Sequence, residues 1–295
     1  MAEGARFGLG AFTLAYRSEP LERGLQGISA AGFKLVGLTQ QAAGAPLLPD
    51  RPTSADFSEL KGKVESFDLT LTTLFARRGA MESVEGLVAD LDMCTELGAK
   101  YLLGMGPYPD IRGSGPDHAR AKGVMQFYGE AERFLSVLKA GGPEAERRGV
   151  TIVIKPHSGV TSTGADLRNV LERADSPAVR GCWDAGNIHY YEGLDPEDDL
   201  EQSGVAPLIS HVCIKDHAGA PWTNNFPIPG QGEVNHLRML KILAGAGFQG
   251  PLIFELPVFY KRDDQTETEA TEATDAAMAE THDFLESVVG QVEAG

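Results

Sequence analysis

The chain has 295 residues, 42% of them hydrophobic, which supplies a sizeable core and is compatible with one α/β barrel domain spanning residues 1–295. Its 26 basic and 42 acidic residues leave a net charge of -16, so a nucleic-acid backbone or an anionic membrane surface is repelled. Three unpaired cysteines, an N-terminus without an apolar leader core, and no run of the roughly 18 apolar residues a span needs point to a soluble, reduced, cytoplasmic enzyme of small molecules.

Strand and helix patterns alternate along the chain. Strand Arg6–Thr13 leads to helix Pro20–Ala31, and strand Lys34–Thr39 to helix Ser54–Ser66. Strand Leu69–Phe75, helix Met81–Leu97 and strand Lys100–Met105 follow, then a long helix from about Gly115 to Arg148 with a break expected near Gly141–Pro143. The central strand begins at Thr151. Helix Ala165–Arg173, strand Val179–Asp184, helix Pro196–Gln202 and strand Ile209–Lys215 come next. A helix near Asn235–Ala246, strand Pro251–Leu256 and a terminal helix Thr266–Val292 complete the chain, after an acidic run Asp263–Asp275 that reads as surface. Eight strand and helix pairs of roughly 30 residues each describe a closed (β/α)8 barrel.

The central segment TIVIKPHSG, Thr151–Gly159, organises the rest. Pro156 ends the strand, while Lys155 and His157 share one face at its carboxyl end, where such barrels place their chemistry. A lysine in an apolar strand needs carboxylate partners, and Asp184 and Glu255 stand at comparable strand ends. Cys213, two residues from both His211 and Lys215, shares their face in HVCIKD. Each residue also has a plain structural reading. Lys155, Asp184 and Glu255 could form an ion-pair cluster with no catalytic part; His157 could cap the following loop; Cys182 and Cys213 could fill the core. Trp222 and Phe226, in the loop AGAPWTNNFPIPGQG, read as a packed lid or as an aromatic platform for a sugar face, and the GQG alone does not indicate phosphate binding.

The segments GVTIVIKPHSG, GCWDAGNIHYYEGLDP, ISHVCIKD, GQGEVN and GPLIFEL resemble, in order and spacing from about Val150 to Pro257, the xylose-isomerase-like TIM barrels. These include sugar isomerases and epimerases, inosose dehydratases and endonuclease IV. The resemblance implies a divalent-metal site of Glu, Asp, His and Glu at the ends of strands five to eight. Asp184 and Glu255 match it, whereas Lys155 replaces the strand-five Glu and Cys213 the strand-seven His. Asn187 stands where sugar isomerases often carry His.

With Lys155 charged, the set carries about -1 without a metal, so the ammonium can stand in for the cation. The resemblance then implies an isomerase or epimerase acting on a small polyhydroxylated keto-sugar or cyclitol by proton abstraction next to the carbonyl. Glu255 is the expected base, Lys155 the electrophile or second acid–base group, and Asp184 its orienter. His157, Asn187, His211, Lys215 and Trp222 are the expected substrate contacts. No cofactor is required on this reading. The alternative is a divalent metal (zinc, manganese or magnesium) on Asp184, Glu255, Cys213 and His157, where the thiolate favours zinc. Schiff-base, lyase or dehydratase chemistry at Lys155, and a non-catalytic sugar-binding relative, are the competing functional readings; the acidic charge opposes an endonuclease. The sequence sets no oligomeric state.

Overall fold

Alternating apolar runs and capped helices build a closed barrel of eight parallel strands in a computed structural model that describes residues 6–107, 124–255 and 266–294. The strands are β1 (Phe7–Phe12), β2 (Leu35–Leu38), β3 (Thr70–Phe75), β4 (Tyr101–Met105), β5 (Thr151–Lys155), β6 (Val179–Asp184), β7 (Ile209–Ile214) and β8 (Gly250–Phe254). Each pairs with its neighbours in sequence, and β8 closes on β1 through Phe7 opposite Gly250. The helices are α1 (Leu21–Ala30), α2 (Ser54–Glu65), α3 (Val84–Leu97), α4 (Val124–Arg148), α5 (Gly164–Ala174), α6 (Ala185–Glu192), α7 (Pro196–Ser203), α8 (His236–Gly245) and α9 (Glu267–Glu293).

Local chemistry explains the boundaries. Reciprocal capping boxes, Thr53 with Asp56 and Thr163 with Asp166, satisfy the first amides of α2 and α5. Gly98 takes the left-handed conformation that ends α3. The expected break in the long helix does not occur: α4 runs through Pro143. Gly141 and Gly142 serve close packing instead, since a Cβ there would meet Leu87 of α3 and Ser176 after α5. The expected helix start at Gly115, the strand end at Leu256 and the beginning of the acidic run at Asp263 lie outside the described residues. Among the elements not expected are helix α6 directly after β6 and a two-residue ladder joining Gln41–Ala42 to Ala45–Pro46. Among the described residues no helix is long and apolar enough to cross a membrane.

The buried residues fall into two bodies. The larger lies between the strands and the helical ring and holds Leu25, Ile28, Leu91, Leu138, Trp183 and Leu240 among many others. The smaller fills the barrel lumen with Phe12, Leu35, Leu103, Val153, Cys182, Cys213 and Ile253. This plug seals the barrel below its carboxyl-terminal mouth and gives the strand ends a rigid floor.

A Cβ at Gly37 would land on the ring of the fully buried Phe12. Gly37→Ala is therefore expected to cost about 2 kcal/mol by overpacking. Gly62→Ala, on α2 with nothing near the new methyl, is expected to add about 0.5 kcal/mol. Urea unfolding of the two variants measures the contrast.

Candidate functional site

Four consecutive strands end in a charged residue at the same height. Lys155 is the last residue of β5, and Asp184 ends β6. Lys215 follows β7, and Glu255 follows β8, with its amide bonded to the Ile214 carbonyl at 2.9 Å. Their relative exposures are 3%, 0%, 5% and 5%, so four charges share one desolvated volume. Lys155 Nζ donates to Glu255 Oε2 at 2.6 Å and Oε1 at 2.8 Å, and lies 3.0 Å from Asp184 Oδ2. Lys215 Nζ donates to Glu255 Oε1 at 2.6 Å, Asp184 Oδ2 at 3.1 Å and Asn187 Oδ1 at 3.0 Å. The fourth carboxylate oxygen, Asp184 Oδ1, accepts the Asn187 amide at 2.9 Å. Every carboxylate oxygen is thus engaged, and two ammoniums balance two carboxylates.

The pairing overrides burial. Desolvation alone pulls the Lys155 ammonium down, but Asp184 and Glu255 outweigh it and hold the lysine well above its ordinary value. Desolvation pushes the Glu255 carboxyl up, and Lys155 and Lys215 reverse this, holding it well below the usual carboxylate range. At rest Lys155 is therefore held as the ammonium and Glu255 as the carboxylate.

Helix α6 builds one wall. Asp184 is its N-cap, which turns the chain sharply and sets Asn187 within reach of both Lys215 and the Pro156 carbonyl, to which its Nδ2 donates at 2.8 Å. One turn later Tyr190 and Tyr191 face the cavity; His157 Nε2 lies 2.7 Å from the Tyr191 hydroxyl. Burial, with the two lysines close by, pushes His157 down to about 3, so its ring is neutral at ordinary pH. A second wall is the loop after Lys215. Buried Asp216 accepts the amides of His217, Gly230, Gly232 and Val234 at 2.9 to 3.1 Å, which folds the loop back on the barrel. The glycines of GQG thus serve this clamp. Phe226 packs on Tyr190, centroids 5.0 Å apart, and the cavity between these walls has a volume of about 980 Å³. Lys155, Lys215 and Glu255 form its floor, and Gln40, Arg17 and Arg78 stand around it.

The structure brings Lys155, Asp184 and Glu255 together as expected from the strand ends, and joins to them Asn187 and Lys215, which were expected as substrate contacts. Three expectations change. His211 does not face the cavity: it is fully buried in the lumen below, with Nε2 2.9 Å from Thr73 Oγ1 and Nδ1 3.2 Å from Cys182 Sγ. Its strand parity was read correctly, but it sits two pleats beneath Lys215. Trp222 does not line the cavity either; it packs on Tyr190 and Tyr191 at 5.6 and 5.2 Å between centroids, behind the wall. His157 is not grouped with the possible ligands Asp184, Cys213 and Glu255, because the step past Pro156 carries its ring to Tyr191. Cys213 lies just beneath the floor, its Sγ 3.6 Å from Glu255 Oε2. Sequence reading gave Lys215 to substrate hydroxyls and missed it as the second ammonium. Counting two buried strand-end carboxylates against one lysine would have pointed to it.

Comparison with known proteins agrees with this architecture. The profile of the xylose isomerase-like TIM barrel matches residues 25–286, and the chain belongs to that family. An inosose dehydratase of Bacillus thuringiensis (strain Al Hakam) is 24% identical over 201 residues, 62% of this chain and 66% of the relative, so the match spans just under two thirds of that protein's length. The crystal structure of a xylose isomerase domain protein from Planctomyces limnophilus superposes with a TM-score of 0.68, at 14% identity, over 99% of both chains. That of a 3-keto-D-glucoside 4-epimerase from E. coli gives 0.69, at 17% identity, over 93% of this chain and 98% of the other.

Lys155→Met leaves two buried carboxylates with one ammonium and is expected to lose about 3 kcal/mol of unfolding free energy at neutral pH. A depressed carboxyl stabilises the fold above its unfolded value and loses that contribution as pH falls through its folded value. Removing Lys155 raises the Glu255 value, so the variant's carboxyl takes up a proton first and the gap to wild type should narrow in acid; urea midpoints at about pH 7 and pH 4 measure it. His157 resists a proton that the unfolded chain accepts near 6.5. Its burial therefore costs stability progressively as pH falls from 6.5 toward 3, and His157→Gln should flatten that part of the pH–stability curve.

Proposed function

We propose that this member of the xylose isomerase-like TIM barrel family is an isomerase- or epimerase-type enzyme that acts on a small keto-sugar or cyclitol by removing a proton next to the carbonyl. The observation that carries the reading is the neutral cluster of Lys155, Lys215, Asp184 and Glu255 at the floor of the 980 Å³ cavity. Similarity to an inosose dehydratase and to a 3-keto-D-glucoside 4-epimerase supports a keto-carbohydrate substrate class.

The chemistry follows from the hydrogen bonds. A substrate carbonyl oxygen that reaches the floor competes for the Nζ protons of Lys155 and Lys215. As these turn to the substrate they release Glu255, whose basicity rises as the cations leave it. Glu255 then takes the proton from the adjacent carbon, the electron pair moves into the carbonyl, and the two ammoniums stabilise the enediolate oxygen. Asp184 holds both lysines in place, and Asn187 fixes Lys215. Return of a proton to the opposite face of the same carbon gives the epimer, the donor being made good by the proton held on Glu255; return from Glu255 to the former carbonyl carbon, as the neighbouring hydroxyl proton passes to the enediolate oxygen, gives the isomer. His157 and the Tyr190–Tyr191 wall hold substrate hydroxyls.

A divalent metal does not fit this residue set. The carboxylate oxygens that would ligate it are all engaged, and a dication added to two ammoniums and two carboxylates would leave a buried excess of positive charge. On this reading no metal is required at the floor. Schiff-base chemistry at Lys155 is disfavoured because it needs a neutral amine, and the flanking carboxylates hold the ammonium protonated.

Incubation with candidate ketoses and inososes in deuterated water should wash deuterium into the carbon beside the carbonyl, read by NMR or mass spectrometry. Glu255→Gln should slow this wash-out about 1000-fold, the scale of a lost general base. Ligand-dependent thermal stabilisation without exchange across the panel would assign a binding protein instead. Chelation should leave exchange intact, whereas Lys155→Glu should acquire divalent-metal affinity and lose exchange.

A further inference from the structure

Beneath the charged floor the lumen holds a second polar group that the proposed chemistry does not use. Its surroundings are apolar: Phe12, Leu35, Leu103, Val153 and Ile253. Cys182 and His211 are register partners on β6 and β7, and Cys213 lies two residues further along β7. Cys182 Sγ is 3.2 Å from His211 Nδ1 and 3.5 Å from Cys213 Sγ, and one donor atom from each of the three residues lies within 4.8 Å of the others. All three are buried, at 0%, 0% and 1% exposure. On the far side of the imidazole, Thr73 Oγ1 engages Nε2 at 2.9 Å.

We propose that Cys182, His211 and Cys213 form a buried site for one thiophilic metal ion, copper(I) in first place. An imidazole in an apolar lumen is costly unless both nitrogens are well bonded, and a thiol is a weak partner for one of them. Donors around one cation at about 2.0–2.3 Å stand roughly 3.3–3.8 Å apart, and Cys182 Sγ lies 3.2 Å from His211 Nδ1 and 3.5 Å from Cys213 Sγ, close to that spacing. Thr73 supplies the outer contact that fixes a ligating histidine ring and aims its other nitrogen at the metal. Two sulfurs and one nitrogen select soft ions over magnesium or calcium. The carboxylate oxygen beside the site, Glu255 Oε2 at 3.6 Å from Cys213 Sγ, is already held by Lys155. The protein thus offers three donors in a water-poor enclosure, which suits copper(I), whereas zinc would have to draw Glu255 away from the lysines to reach four. The site is one layer below the floor and meets it at Cys213, whose Sγ lies 3.6 Å from Glu255 Oε2.

The test uses the full-length chain, reduced and stripped of metal, titrated anaerobically with copper(I) as its acetonitrile complex against a chromogenic copper(I) chelator. The expected result is one copper per chain with a near-ultraviolet thiolate-to-copper band. Cys182→Ser and Cys213→Ala should each weaken competitive binding about 100-fold and Thr73→Val about tenfold, with folding verified by circular dichroism. Asp283→Asn with Glu286→Gln, which removes the two exposed carboxylates beside the half-buried His282, should change nothing. Wild-type protein that takes no copper from the chelator overturns the proposal, whatever the variants do. Binding that survives Cys182→Ser, or uptake of cobalt(II) with a thiolate band in place of copper(I), overturns it as well.

Discussion

Everything at the mouth of this barrel depends on one electrostatic constraint: two ammoniums and two carboxylates occupy a single volume from which water is excluded. None of the four is tenable alone. A buried carboxylate with no cation, or a buried ammonium with no anion, costs several kcal/mol, and the cost is offset only when all hydrogen-bonding positions are filled. Here they are filled, since Lys155 and Lys215 bridge the same two carboxylates and the Asn187 amide takes the one oxygen left over. The cluster is stable at rest because each lysine bridges both carboxylates.

The surrounding fold holds that cluster at fixed geometry. Four adjacent strands in parallel register deliver the charged residues at one level, and the lumen plug beneath prevents them from sinking or rotating. Asp184 also starts helix α6, so the residue that anchors both lysines orients the tyrosine wall too. Asp216, next to Lys215, ties the long loop back through four amides, which makes that loop a wall with a defined inner face. Rigid support of this kind is what lets a few hydrogen bonds discriminate a reacting oxygen from an ordinary hydroxyl.

Relative to the ligand pattern that the family resemblance implies, the site preserves charge balance by other means. Lysine at the end of β5 and a second lysine after β7 supply positive charge at the floor, and a cysteine takes the histidine position just below it. The same exchange places sulfur and imidazole in one layer of the lumen, where Thr73, His211, Cys182 and Cys213 form a continuous polar string across a closed apolar plug.

Sequence periodicity determined the barrel, the eight strands and the ring of helices, because alternation of period 2 and period 3.6 runs is a local property. It also determined that Lys155, Asp184 and Glu255 meet, since strand ends in a parallel barrel converge. Tertiary structure decided the rest. Pro143 reads as a helix break, yet α4 continues because its neighbouring glycines pack against α3 and the turn after α5, a benefit no local pattern shows. Parity placed His211 on the inner face of β7, but depth along the barrel axis, which depends on strand tilt and stagger, put it in the lumen and left Lys215 at the floor. Trp222 lies behind the tyrosines because the Asp216 clamp sets the path of its loop. Charge balance at the floor belongs to the assembled barrel: residues 155, 184, 215 and 255 neutralise one another only once the chain has closed.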